Sequence, residues 1–183
     1  MPEYRRANIP GGTFFITIDT YDRHPLLLMP KARDFLHAAW EDVAGRFPFT
    51  TDAVCLLPDH IHLLMTLPED DSDFSMRIRE IKRLFTKAYL AEFGIGPTRG
   101  RSHQDKNEAA IWQRRFYEHT IRDDQDMNAH MDYIHFNPVK HGLVSQVKNW
   151  QWSSFHQYVR SGFYSIDWGE GVNIDTDGRC YGE

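Results

Sequence analysis

The sequence predicts a single α/β (α+β) domain, and three observations carry that prediction. Strand-like and helix-like runs alternate along the chain rather than segregating into halves. Two of the strand-like runs, 49–57 and 60–67, are separated only by Pro58-Asp59, the pattern of a hairpin. The chain has 183 residues and 41% hydrophobic content, enough for one core with little left for a second.

The elements follow in order. Gly11-Gly12 punctuates a run of aromatic and β-branched residues, Thr13-Phe14-Phe15-Ile16-Thr17-Ile18, which reads as the first strand. Pro30 then opens a stretch, 31–46, in which Ala32, Phe35, Leu36, Ala39, Trp40 and Val43 recur at helical spacing, with Gly45 near its end. After the hairpin, Pro68 and the acidic cluster 69–73 form a turn, and Asp73 or Ser75 can cap a long helix reaching about residue 93. Ile78, Ile81, Leu84, Phe85 and Ala88 make its apolar face and the other face is basic. The Gly- and Arg-rich stretch 94–108 reads as a loop, and 111–121 as a further strand. From Asp123 the spacing of Met127, Met131, Ile134 and His135 predicts a helix ended by Asn137-Pro138, because the residue before proline disfavours the helical conformation. A core of about 10–145 is followed by an aromatic-rich extension of about 146–170, with Trp150, Trp152, Phe155 and Tyr158, and a polar tail, 171–183, expected to be disordered.

Net charge is -5 with a pI near 6.0, which argues against a nonspecific DNA coat. The average conceals a division: acid gathers at 69–73, 123–126 and the tail, whereas base gathers at Arg5-Arg6, along 77–87 and around Arg99, Arg101, Arg114 and Arg115. A local basic face is therefore compatible with the total. No apolar run approaches the roughly 20 residues of a membrane helix, so a cytoplasmic protein with no membrane partner is expected. Cys55 and Cys180 are far apart in sequence and offer neither a disulfide framework nor a metal knuckle.

Two local patterns carry chemistry. Residues two apart on a strand share a face, so His60 and His62 project side by side while Ile61 turns to the core, a geometry that can present two imidazoles to one ion. The same pattern occurs in cupin-like enzymes, which add later Glu and His ligands, and in strands whose histidines are merely solvated or packed. Tyr133 and Asn137 are four apart and share one helical face, so a nucleophilic phenol and a ligating amide could reach one point, although a half-buried packing tyrosine and a helix-ending Asn-Pro give the same pattern.

Together, Pro58-Asp59-His60-Ile61-His62 and Asp132-Tyr133-Ile134-His135-Phe136-Asn137-Pro138-Val139-Lys140-His141-Gly142 resemble the REP-associated tyrosine transposases, members of the HUH class of single-strand transposases and nucleases. Tyr4-Arg5-Arg6, Gly11-Gly12-Thr13, Arg79-Glu80-Ile81-Lys82, Trp112-Gln113 with Arg115-Phe116, and Ile166-Asp167-Trp168 extend the resemblance over nearly the whole chain. One departure is the arginine-rich stretch 94–110, longer than the family's connection.

The resemblance implies a central antiparallel sheet flanked by helices in a ferredoxin-like arrangement. It implies Mg2+ or Mn2+ held by His60, His62 and Asn137, with Tyr133 as the nucleophile that forms a 5′-phosphotyrosine and releases a 3′-hydroxyl. His130, one turn before Tyr133, is a candidate helper in deprotonating it. The implied substrate is single-stranded DNA bearing REP hairpins, the short palindromic repeats of bacterial genomes, beside a guide tetranucleotide. Arg5, Arg6, Arg79, Lys82, Arg83, Arg114 and Arg115 are the candidates for phosphate contacts, and Trp112 and Phe116 for stacking on unpaired bases. Two rival functions fit fewer of these residues: a non-catalytic REP-binding protein, and a metal-dependent phosphoesterase that activates water. Related insertion-sequence transposases are dimers, but the aromatic extension is placed to cover the surface they use, so a monomer is expected.

Overall fold

The computed structural model describes residues 8–94 and 109–171. Arg5, Arg6, most of the 94–108 loop, Cys180 and nearly all of the polar tail lie outside the described residues. Four strands form the sheet: β1 (Thr13–Asp19), β2 (Thr50–Leu56), β3 (His60–Thr66) and β4 (Tyr117–Thr120). Their spatial order is β2-β3-β1-β4 and every pairing is antiparallel. Helices α1 (Pro30–Arg46) and α2 (Phe74–Phe93) connect β1 to β2 and β3 to β4, which is the ferredoxin-like βαββαβ arrangement. A third helix, α3 (Asp124–Lys140), follows β4, and a short α4 (Phe155–Arg160) lies in the extension.

Alternation along the strands sends side chains to two cores. Phe14, Ile16, Ile18, Ile61, Leu63 and Met65 face α1 and α2, where they meet Leu36, Val43, Ile78, Ile81 and Phe85. Phe15, Ala53, Cys55 and Leu64 face the other way, onto Met131, Tyr133 and Ile134 of α3. The same parity puts His60 and His62 on the α3 side. At the start of β1, Gly11 adopts φ +67°, and a Cβ on Gly12 would stand 2.9 Å from the Ile9 carbonyl oxygen, so the glycine pair is required by a tight backbone approach.

Several sequence expectations need correction. The 111–121 run is not one strand: only Tyr117–Thr120 pairs with β1, while Trp112 makes an isolated bridge to Thr20 and Ile111 is buried beneath α2. The helix carrying Tyr133 does not stop at Asn137 but continues through Pro138 to Lys140. Proline lacks an N–H, yet beyond it His141 N bonds Asn137 O at 3.0 Å and Leu143 N bonds Pro138 O at 2.9 Å, so the turn closes on later donors. Arg77 does not belong to the basic face of α2: it is 1% exposed and donates to the carbonyls of Phe47, Pro48 and Asp73 and to Asp71 Oδ2 at 2.7 Å. Asp71, in the acidic turn, is thereby held below the usual carboxylate range by the Arg77 hydrogen bond.

The extension runs along the outer edge of β2. Leu56 N donates to Trp152 O at 2.8 Å and Ser154 N to Val54 O at 2.9 Å, which covers an otherwise open sheet edge. It also braces α3: Ser154 Oγ bonds His135 Nε2 at 2.8 Å, and Tyr164 Oη donates to Asp132 Oδ1 at 2.6 Å. Burial drives the His135 pKa down to about 3, so its ring is neutral at ordinary pH.

Candidate active site

The first residue of β3 is His60, and β1 pairs with β3 so that Asp19 stands opposite His60 and Thr17 opposite His62. Both histidines are buried, at 2% and 0% exposure, and their ring centroids are 4.8 Å apart. Each ring is oriented through Nδ1: His60 donates to Asp59 Oδ1 at 2.7 Å, and His62 is hydrogen-bonded to Thr17 Oγ1 at 2.9 Å. With the Nδ1 positions so engaged, Nε2 is the nitrogen each ring offers to an ion, an orientation typical of metal-ligating histidines. Burial lowers the His60 pKa, opposed by the Asp59 hydrogen bond, which favours the neutral, metal-competent imidazole.

From the opposite layer, α3 lays Tyr133 across this pair. Its ring centroid is 5.2 Å from that of His62, edge to face, and it is 2% exposed. Asn137, one turn further along the same face, is fully buried. Two buried imidazoles oriented through Nδ1 are a donor pair suited to a divalent ion, and Asn137, buried on the helix face that carries Tyr133, is the third residue of the expected set. The histidine pair therefore fits a divalent ion.

Groups that the sequence did not single out complete the site. Lys140 Nζ donates to Tyr133 Oη at 3.1 Å and also lies 4.8 Å from the centre of its ring. His141 stands with its ring 5.3 Å from that of His60. The seven-residue spacing of Tyr133 and Lys140, two helical turns, was visible in the sequence; the approach of Thr17 and Asp19 depended on strand pairing and was not. His130, expected to assist Tyr133, donates through Nδ1 to the Asp126 carbonyl oxygen at 2.8 Å and stacks on His119.

The basic candidates divide. Arg79, Lys82, Arg83 and Arg114 come together around a groove of about 510 Å3 between α2 and the 109–114 segment. Arg83 is already engaged by Glu80 at 2.9 Å. Arg115 is exposed but does not line the groove. Trp112 is 7% exposed with its ring 4.9 Å from Phe85, so it forms the groove's inner wall rather than an open stacking platform. Phe116 packs against Phe74 and the same core. The groove reaches the histidines through the backbone: Gln113 N donates to Asp19 O, and Asp19 is the β1 partner of His60.

A fold with this order and a tyrosine helix laid over an HxH strand defines the class. Residues 14–137 match the family described as transposase, IS200 like. An Escherichia coli K12 REP-associated tyrosine transposase is 45% identical over 179 residues, covering 98% of each chain. A Haemophilus influenzae protein assigned to the same group is 43% identical, covering 97% of this chain and 99% of its own. A solved REP-associated tyrosine transposase bound to a REP hairpin superposes with a TM-score of 0.80 at 40% identity, covering 100% of this chain and 98% of the other. The chain belongs to the REP-associated tyrosine transposases, DNA-processing enzymes within the IS200-like family. The family suggests a divalent metal. Among the described residues no helix is long and apolar enough to cross a membrane.

Proposed function

We propose that this protein cuts and rejoins single-stranded DNA at REP hairpins in the bacterial cytoplasm, with Tyr133 as nucleophile. The observation that carries the reading is the Tyr133 phenol set against His62 and hydrogen-bonded at 3.1 Å by Lys140. His60, His62 and Asn137 would hold Mg2+ or Mn2+. When bound, such an ion neutralises charge on the nonbridging phosphate oxygens.

Tyr133 Oη attacks the phosphorus, the bond to the 3′-oxygen breaks, and the departing oxygen takes up a proton as a 3′-hydroxyl. The phosphorus is then bonded to Tyr133 Oη and keeps its ester to the 5′-oxygen of the downstream strand, so the bond energy is kept for resealing. A tyrosine ordinarily ionises near pH 10, and the Lys140 ammonium beside Oη stabilises the phenolate as the proton leaves. Burial of Tyr133 and its packing on Phe15 and His62 hold the phenol in one orientation.

Arg79, Lys82, Arg83 and Arg114 would contact hairpin phosphates in the groove, with Arg115, Arg5 and Arg6 as further contacts. The Gln113–Asp19 backbone bond joins the groove wall to the β1 residue that pairs with His60, so the hairpin and the metal would be held at the same end of the sheet. The extension along β2 supports action as a monomer.

The test uses REP oligonucleotides labelled at the 5′ or 3′ end, Mg2+ or Mn2+, and denaturing gels, with Tyr133→Phe and His62→Ala alongside. The expected result is a protein-linked band for the strand downstream of the cut, absent from both variants. Cleavage that survives Tyr133→Phe would transfer the nucleophile to water and refute the proposal.

A further inference from the structure

Beside Phe15, whose ring contacts both His62 and His130, β4 and the first two turns of α3 bring together His119, Asp126 and His130. One donor atom from each lies within 4.8 Å of the others. Asp126 and His130 are each 3% exposed, and the His119 side chain is 28% exposed, so the cluster is walled by protein and opens at one rim. Asp126 Oδ2 accepts from His119 Nε2 at 2.8 Å and from the backbone and side chain of Arg122. Its second oxygen, Oδ1, is buried and accepts no hydrogen bond. His130 Nδ1, 3.3 Å away, directs its proton to the Asp126 carbonyl instead. A buried carboxylate oxygen left in this state is costly unless something cationic occupies the space beside it.

We infer that His119, Asp126 and His130 form a second divalent-cation site, separate from the His60/His62 pair and suited to Zn2+. Two imidazoles and one carboxylate are a borderline-soft set that prefers zinc to magnesium, with a water completing the fourth position at the His119 rim. Tetrahedral zinc holds neighbouring donors about 3.4 Å apart, so the three groups need to close in only slightly. Arg122, whose side chain is 70% exposed, can withdraw to solvent as the ion replaces it on Asp126. The ion would fasten the start of α3 to β4, and α3 is the helix that carries Tyr133. This inference rests on the cluster's geometry and stands apart from the DNA-processing reading.

The experiment titrates chelator-treated full-length protein with Zn2+ by calorimetry and with Co2+ by visible absorption, in the His62→Ala background to silence the other pair. The expected result is one equivalent of Zn2+ bound, tetrahedral Co2+ bands, and a Zn2+-dependent rise in Tm. Adding His119→Ala, at a half-buried position, should weaken binding by about 100-fold or more and remove the Tm rise. His119→Gln serves as a second variant, and circular dichroism establishes that each is folded. Failure of the folded His62→Ala protein to bind Zn2+, or undiminished binding in both folded His119 variants, would overturn the inference.

Discussion

Thr17→Val isolates the arrangement that aims His62. Thr17 and His62 are both fully buried, and their 2.9 Å hydrogen bond orients the ring through Nδ1. Valine keeps the shape and the strand preference but removes the oxygen, so a buried ring nitrogen loses its partner at a cost of about 1–3 kcal/mol. In a chain of this size each kcal/mol lowers Tm by roughly 2–4 °C. The ring also becomes free to rotate, and loss of such a supporting hydrogen bond weakens metal affinity by about 10–100-fold, or roughly 1.4–2.7 kcal/mol. The assay is Mn2+ affinity by calorimetry or electron paramagnetic resonance, paired with a melting curve. Thr13→Val is the control: it breaks the 2.7 Å Thr13–Thr66 bond at the other end of the same strand pair. The control should lose some stability and no metal affinity. Unchanged Mn2+ affinity in Thr17→Val, or an equal loss in Thr13→Val, would refute the orienting role.

Arg77→Met removes a buried cation from four acceptors and should cost about 3 kcal/mol or more in urea unfolding, with hairpin binding by the folded protein preserved; a cost under about 1 kcal/mol would contradict the structural role. Arg79→Ala, Lys82→Ala or Arg114→Ala should lower hairpin affinity, each reducing the slope of log K against log salt by about 0.7–0.9, with stability nearly unchanged in Arg79→Ala; unaltered slopes would remove the groove as a phosphate track. Burial raises the Asp126 carboxyl, but hydrogen bonds from His119 and Arg122 outweigh it and bring its pKa from 3.8 to about 2. A depressed carboxylate contributes stability above the unfolded pKa and loses it as pH falls through the folded one, so about 2 kcal/mol should disappear between roughly pH 4 and 2 in metal-free protein. Asp126→Asn should flatten that part of the urea-midpoint profile, and an unchanged profile would show that the carboxylate is not the group responsible.

What was legible in the sequence was what depends on near neighbours. The helical spacing in α1 and α2, the Pro58-Asp59 turn, the HxH pair and the Tyr133/Asn137 pair are all fixed by local geometry. Thr17 and His62 are 45 residues apart and meet only because β1 pairs with β3 in one register. The composition of 111–116 is strand-like, yet Ile111 and Trp112 pack into the core with Ile81 and Phe85 of α2 instead of extending β4. Asn137-Pro138 has the local pattern of a helix stop, but the backbone bonds made by His141 and Leu143 keep the turn helical to Lys140. Arg77 and Arg79 looked alike in a basic run, although Arg77 shares a helix face with Ile78, Ile81 and Phe85 and that periodicity already separates them.

The central claim, that Tyr133 carries the DNA during strand exchange, is tested most directly by finding the modified residue. Protein incubated with Mn2+ and a REP hairpin oligonucleotide should be denatured, digested with nuclease and trypsin, and mapped by mass spectrometry. Cleavage after Arg122 and Lys140 gives peptide 123–140, whose sole tyrosine is Tyr133. A nucleotide remnant is expected on that tyrosine and none in Tyr133→Phe. Strand cleavage with peptide 123–140 unmodified, or a remnant on another residue, would contradict it.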